Sequence, residues 1–256
     1  IALPAVVHPG VRKAAGVRSL KLTFIPTPRD RGYLPAVAEV AAALEAGARL
    51  LYLESPSRLT GAIYSPDEVQ EIAKLIARFE ARVIWDQGLA PWVAGRPYLS
   101  LGSITDVADR VLLIGEAWPG TGLESLMVGY VAAHAEWLEP IRSQKQIISI
   151  CTSTPSQYAA VKAPSVYRKL HEAQLGLLWA LRERAVMVAR QLGAEVLDGS
   201  AANILALAPA DVQVAQQRLA EAGFVVADGA TFGAPGSLRF AVTPDNAVAR
   251  ALCHLA

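Results

Sequence analysis

Cysteine is nearly absent. Cys151 and Cys253 are the only two in 256 residues, and the four histidines, His8, His134, His171 and His254, are equally scattered. Neither set makes a disulfide framework or a metal-ligand spacing, and a reducing, cytoplasmic setting is expected. Charge is also scarce. Charged residues make up 18% of the chain, with a net charge of +1 and no basic run, so no nucleic-acid partner is implied. No uninterrupted apolar stretch approaches the roughly 18 residues of a membrane-spanning helix, so no membrane partner is expected either. The opening residues, IALPAVVHPGVRK, place their charges after the apolar part and show no cleavage pattern, which argues against a signal peptide. They also lack an initiator methionine, and the expectation is that the chain begins inside a longer gene product.

What is present is apolar. Hydrophobic residues are 53% of the chain, enough to build one large domain or two small ones. Such a composition fits either a second subunit covering extra surface or simply a proteome rich in alanine, valine and leucine. Short apolar runs alternate with helical patterns. ARLLYLES (48–55), RVIWD (82–86), RVLLIG (110–115) and VGYVAA (128–133) read as strands. A helix follows the first of them, with Ser65 as its N-cap, Pro66 at its first position and Glu68 closing a capping box. This alternation predicts a largely parallel sheet covered by helices. From Ser165 to Leu192 a long helical pattern runs to Gly193. Then come NILALA (203–208), a helix over 210–222, FVVADG (224–229), SLRFAV (237–242) and a last helix starting near Pro244. The expected fold is α/β, with a large domain over residues 1–160, then a linking helix and a small α+β domain over 161–256.

Four segments in order resemble the class I/II aminotransferases, enzymes of pyridoxal-phosphate fold type I. SPSRLTGAIYSPDEV (55–69) resembles the family's Asn-Pro-x-Asn-Pro-Thr-Gly loop and capped helix: Pro56, Thr60 and Gly61 match, while Ser55, Arg58 and Leu59 depart. VIWDQGLAPW (83–92) resembles the strand whose terminal aspartate, here Asp86, partners the cofactor's pyridinium. LLIGEAWPGTGLESLMVGYVAA (112–133) resembles the strand, lysine loop and following strand, and AGFVVADGATFGAPGSLRFAVTP (222–244) the strand pair ending in the substrate-carboxylate arginine, here Arg239. QKQIISICTSTPSQYAA (144–160) is similar to the lead-in to the family's domain-linking helix. The family's N-terminal part, with its Gly-rich phosphate turn, has no counterpart, so the chain is expected to be truncated relative to the family.

The resemblance implies pyridoxal phosphate as cofactor, an amino acid or 2-oxo acid as substrate and a dimer with shared sites. It also implies a lysine for the Schiff base. In the register that keeps Gly115, Gly129 and Tyr130 in place, that lysine falls at Pro119, the phosphate-binding serine at Trp118 and the phosphate-binding arginine at Met127. Arg58 replaces the asparagine that bonds the cofactor's phenolic oxygen, and Leu89 stands where a tyrosine would support it. The nearest downstream lysine is Lys145, in a later segment. Binding of pyridoxal phosphate is therefore in doubt. Arg239 keeps the planar fork that clamps a carboxylate. Three readings stay open: an aminotransferase completed by a different register or another chain's lysine, a non-catalytic homologue that binds a small anionic or amino-acid-like ligand or a partner subunit, and the effector domain of a regulator.

Overall fold

The computed structural model describes residues 1–120 and 127–255; residues 121–126, part of the third segment above, lie outside the described residues. Parallel strands dominate the first half. These are β1 (Ala2–Pro4), β2 (Thr23–Ile25), β3 (Leu50–Glu54), β4 (Arg82–Asp86), β5 (Val111–Glu116) and β6 (Gly129–Ala132), in the sheet order β2-β1-β3-β4-β5-β6. All pairs are parallel except β5 with β6, so the expected strand over 128–133 forms an antiparallel edge. Helices α1 (Pro9–Val17), α2 (Val37–Glu45) and α3 (Pro66–Arg78) join the strands. The elements before residue 48, which the sequence patterns did not single out, are short: β1 and β2 have three residues each.

The alternation along β3 divides the sheet's two faces. Leu51 and Leu53 join one core with Val83, Trp85, Val69 and Ile72, whereas Tyr52 joins another with Leu3 and Val7. The start of α3 is closed as its sequence predicts. Ser65 Oγ accepts from the Glu68 N–H at 3.2 Å, and Glu68 Oε2 accepts from the Ser65 N–H at 2.9 Å.

The middle of the chain is more helical than expected. Residues 144–160, which precede the long helix, are divided between α4 (Ala135–Ser149) and α5 (Thr154–Lys162), with a break at Ile150, whose φ is 52°. No residue of α4 is buried. The long helix α6 (Pro164–Gln191) matches its expected span, and Gly193, at φ 76°, follows its cap.

A second, antiparallel sheet comprises β7 (Glu195–Val196), β8 (Ile204–Ala208), β9 (Ala227–Asp228) and β10 (Leu238–Ala241), ordered β7-β8-β10-β9 and packed with α7 (Val212–Glu221) and α8 (Ala247–Leu252). The strand expected over 224–229 shrinks to β9. The Phe224 N–H donates to Leu219 O at 2.8 Å and closes the end of α7, so the chain reaches the sheet only at Ala227, three residues later than the pattern suggests. The last helix begins at Ala247 rather than Pro244, because residues 243–246 form a turn in which Thr243 Oγ1 and the Ala247 N–H both donate to Asp245.

Candidate functional site

The loops at the carboxyl ends of β1, β3 and β4 converge, which is where open α/β sheets hold ligands. Glu54 and Asp86 are the last residues of β3 and β4 and are register partners, so two carboxylates lie side by side; both are 4% exposed. Glu54 gathers the surrounding backbone. Its Oε1 accepts from the His8 N–H at 2.9 Å and its Oε2 from the Arg58 N–H at 3.0 Å, pinning the loops after β1 and β3. The loop after β3 is fixed further by Ser57 Oγ, which accepts from Leu59 and Thr60, and by Thr60 Oγ1, which donates to Gly32 O at 2.7 Å. Gly61, at φ 80°, completes this turn.

Asp86 is fully engaged. Its Oδ1 accepts from Arg58 Nη2 at 2.6 Å and from the Gly88 N–H at 2.9 Å; its Oδ2 accepts from Arg58 Nε at 3.0 Å and from the Tyr52 hydroxyl at 2.8 Å. Four bonds match the acceptor capacity of a carboxylate. Tyr52 also lies 3.3 Å from Glu54 Oε1, so one hydroxyl links the two acids.

Crowding two carboxylates in a buried place shifts their neighbours in predictable directions. Burial, reinforced by the charge of Asp86, pushes the Glu54 carboxyl up to about 7. Burial and the two acids raise Tyr52 above the usual phenol range. Burial opposes the charge of Arg58, but Asp86, Glu54 and Tyr52 together outweigh it and hold the guanidinium above its ordinary value. His8 is lowered, first by burial and then by Arg58, with Arg239 adding to the effect and Asp86 opposing it.

Arg239 lies mid-strand in β10, paired with Ala206 of β8 and Ala227 of β9. Its Nε is buried without a hydrogen-bond partner among the described residues, and burial followed by the charge of Arg58 lowers its affinity for a proton. Asp86, Arg58 and Arg239 thus share one electrostatic neighbourhood around His8, with Arg58 and Asp86 in direct contact.

Pro119 is held elsewhere. Its carbonyl accepts from His171 Nδ1 of α6 at 3.1 Å. The His171 ring stacks on Tyr167 at 5.0 Å, and Trp118 meets Tyr167 edge-on at 5.3 Å. Trp92 closes the group, 5.4 Å from His171. The loop after β5 is therefore fastened to α6 by aromatic rings. Met127 is 87% exposed, and Leu89 is buried in the second core. Lys145 lies exposed on α4, 3.4 Å from Ser149 Oγ. Among the described residues no group of acidic, histidine or cysteine side chains has the arrangement of a metal site.

Sequence reasoning singled out Asp86, Arg58 and Arg239 but missed Glu54, Tyr52, His8 and Gly88. Glu54 did leave a signal: it is the one charged residue in the apolar run LLYLE.

A family profile described as Aminotransferase class I and II matches residues 1–255. The aspartate/prephenate aminotransferase of Thermus thermophilus is 24% identical over 259 residues, covering 94% of this chain and 64% of its own length. An aspartate aminotransferase of Bacillus sp. (strain YM-2) is 26% identical, covering 90% of this chain and 61% of its own length. This chain therefore spans less than two thirds of these curated relatives. The solved structure of Thermus thermophilus aspartate aminotransferase with maleate superposes with a TM-score of 0.88 at 19% identity, covering 99% of this chain and 68% of that one.

Proposed function

The chain belongs to the class I and II aminotransferase family, and on that premise we propose that it is a member impaired in pyridoxal-phosphate chemistry, whose cleft binds a small carboxylate ligand. The carrying observation is the loop after β5. Where the family register puts the Schiff-base lysine stands Pro119, whose nitrogen is already in a peptide bond and whose carbonyl is tied to His171. Trp118, at the phosphate-serine position, is committed to the ring cluster, and Met127, at the phosphate-arginine position, offers no cationic group. Asp86, at the pyridinium position, already has four hydrogen bonds. The residues present do not fit the cofactor, and no amino-transfer step follows from them.

What the cleft does offer is positive charge. Arg239, at the carboxylate-clamp position, has a buried Nε without a partner among the described residues. A carboxylate would complete it with charge-assisted bonds, and maleate in the Thermus thermophilus structure is a ligand of that class. In the same reading residues 1–160 and 161–256 are two domains, and the chain works as a subunit of a homodimer or heterodimer. Support for the dimer comes from Ile147, Ile148, Ile150, Tyr158 and Val161, which are 72–78% exposed on and between α4 and α5. Exposed apolar clusters of this kind mark interaction sites.

Incubation with pyridoxal phosphate, borohydride reduction and peptide mapping test the reading. The expected result is scattered, partial labelling of surface lysines. A single stoichiometric adduct on one lysine, with transaminase turnover, overturns it. Titration with maleate should show saturable binding, weakened about tenfold or more in Arg239→Gln by the loss of a charged hydrogen-bonding partner.

A further inference from the structure

We propose that Arg58 is a built-in occupant of the place at Asp86 that a cationic cofactor ring would need: the chain supplies its own cation there and closes that place to any exogenous one. This rests on the family register used above, in which Asp86 holds the pyridinium position.

The first support is geometric. Nε and Nη2 are the two donors along one edge of the guanidinium, and they meet the two oxygens of Asp86 side-on at 3.0 and 2.6 Å. That is the bidentate arrangement in which arginine binds carboxylates most strongly. The oxygens' remaining capacity is taken by Tyr52 and by the Gly88 N–H. No acceptor site on Asp86 remains for a ring N–H.

The second support is that the surroundings are shaped to this guanidinium. A Cβ added at Gly88 would lie 2.1 Å from Arg58 Nη2, 2.7 Å from Cζ and 2.9 Å from Nη1. Gly88 has no positive φ to require a glycine, so the requirement comes from the flat group lying over it. The backbone of residue 58 is fixed independently, since its N–H donates to Glu54 Oε2. Gly88, Glu54 and Tyr52 thus form the seat, back wall and remaining contact of one site.

The third support is charge. Arg58 and Asp86 cancel one another's charge. An entering ring cation would have to displace Arg58 from two charge-assisted bonds and leave its guanidinium facing Arg239, a like charge whose protonation Arg58 already opposes. An anion meets no such barrier, because Arg58 Nη1 makes no hydrogen bond among the described residues.

Two measurements on the full chain test this. In the first, arginines are labelled with phenylglyoxal and quantified by peptide mass spectrometry. Arg58 should react at least about tenfold more slowly than exposed Arg142, and Gly88→Ala, which leaves every charge in place but removes the seat, should bring Arg58 to a rate near that of Arg142. Equal rates in the wild type overturn the proposal, as does unchanged protection in Gly88→Ala. In the second, pyridoxamine 5′-phosphate is titrated by its own fluorescence. The wild type should show no saturation up to millimolar concentrations, Arg58→Asn should bind at least about tenfold more tightly, and Arg58→Asn/Asp86→Asn should lose the gain. Saturable wild-type binding weakened by Asp86→Asn overturns the proposal, and so does equal affinity in wild type and Arg58→Asn. Should Arg58→Asn not fold, the Gly88→Ala labelling decides alone. The outcomes separate from those of the function above. A borohydride adduct on one lysine with Arg58 still protected sinks that reading and spares this one, whereas an unprotected Arg58 without any adduct does the reverse.

Discussion

Glu54→Gln removes a carboxyl that burial and the neighbouring Asp86 push from 4.5 up to about 7. Because the folded value is raised, the folded chain binds this proton more tightly than the unfolded chain. The contribution of Glu54 to stability is therefore fully present below about pH 4.5 and is lost as pH rises through about 7. At about 1.36 kcal/mol per pKa unit, the loss amounts to roughly 3 kcal/mol. Glutamine does not titrate, but it has its own cost. The two carboxylate oxygens accept from two separate backbone donors, His8 and Arg58. An amide offers one acceptor oxygen, so one of those N–H groups faces an NH2 and goes unsatisfied, at about 1–3 kcal/mol independent of pH. The wild type should thus be the more stable protein at pH 4.5, and the gap should close or invert by pH 8. Urea unfolding of both proteins across that range, read as midpoints with slopes, gives the difference directly. A gap that stays constant, or widens with pH, refutes the assignment of a raised carboxyl to Glu54.

Ser65→Ala should cost about 1 kcal/mol by opening the capping box of α3, measurable in the same urea experiment. Trp85→Ala, at a fully buried position in the first core, should cost about 3–5 kcal/mol without shifting the pH dependence assigned to Glu54. Gly199→Ala should be strongly destabilising, by about 3 kcal/mol or more, because its Cβ would lie 1.9 Å from the Thr60 carbonyl, a backbone atom that cannot move aside; a near-native melting temperature would contradict this. Light scattering should give about twice the chain mass, and Ile148→Asp should shift it toward the monomer; a monomeric wild type at working concentration would count against the dimer.

The parallel sheet was legible because its central strands are buried on both faces and read as short apolar runs. The start of α3 was legible because a capping box is written in local residue types. The three-residue strands β1 and β2 were not, since a run that short has no period to measure. The strand expected over 224–229 was cut to Ala227–Asp228 for a different reason: its alternation is real, with Phe224 and Val226 packing on the second core, but the Phe224 N–H closes α7 instead of entering the ladder. Helix α4 was not singled out because it buries no residue: Leu138, Ile141, Ile147 and Ile148 are exposed, so its apolar positions mark no face of a core.

The site was half legible, and the missing half concerns pairs rather than residues. Arg58 and Asp86 stood out separately, one as a departure from the family pattern and one as a match. Twenty-eight positions apart in sequence, nothing local says that they meet. The parallel register of β3 with β4 sets Glu54 beside Asp86, and Arg58 follows Glu54 by one tight turn, which brings the guanidinium over the neighbouring strand's end. Gly88 could have suggested that meeting. A glycine two residues after a strand-end aspartate normally signals a left-handed turn, but here its φ is ordinary, and what it supplies is the absence of a Cβ under Arg58. A departure from a family motif at one position is thus best judged together with the space made for it at another. Arg58 and Gly88 are matched in shape, since a Cβ at residue 88 would meet the guanidinium.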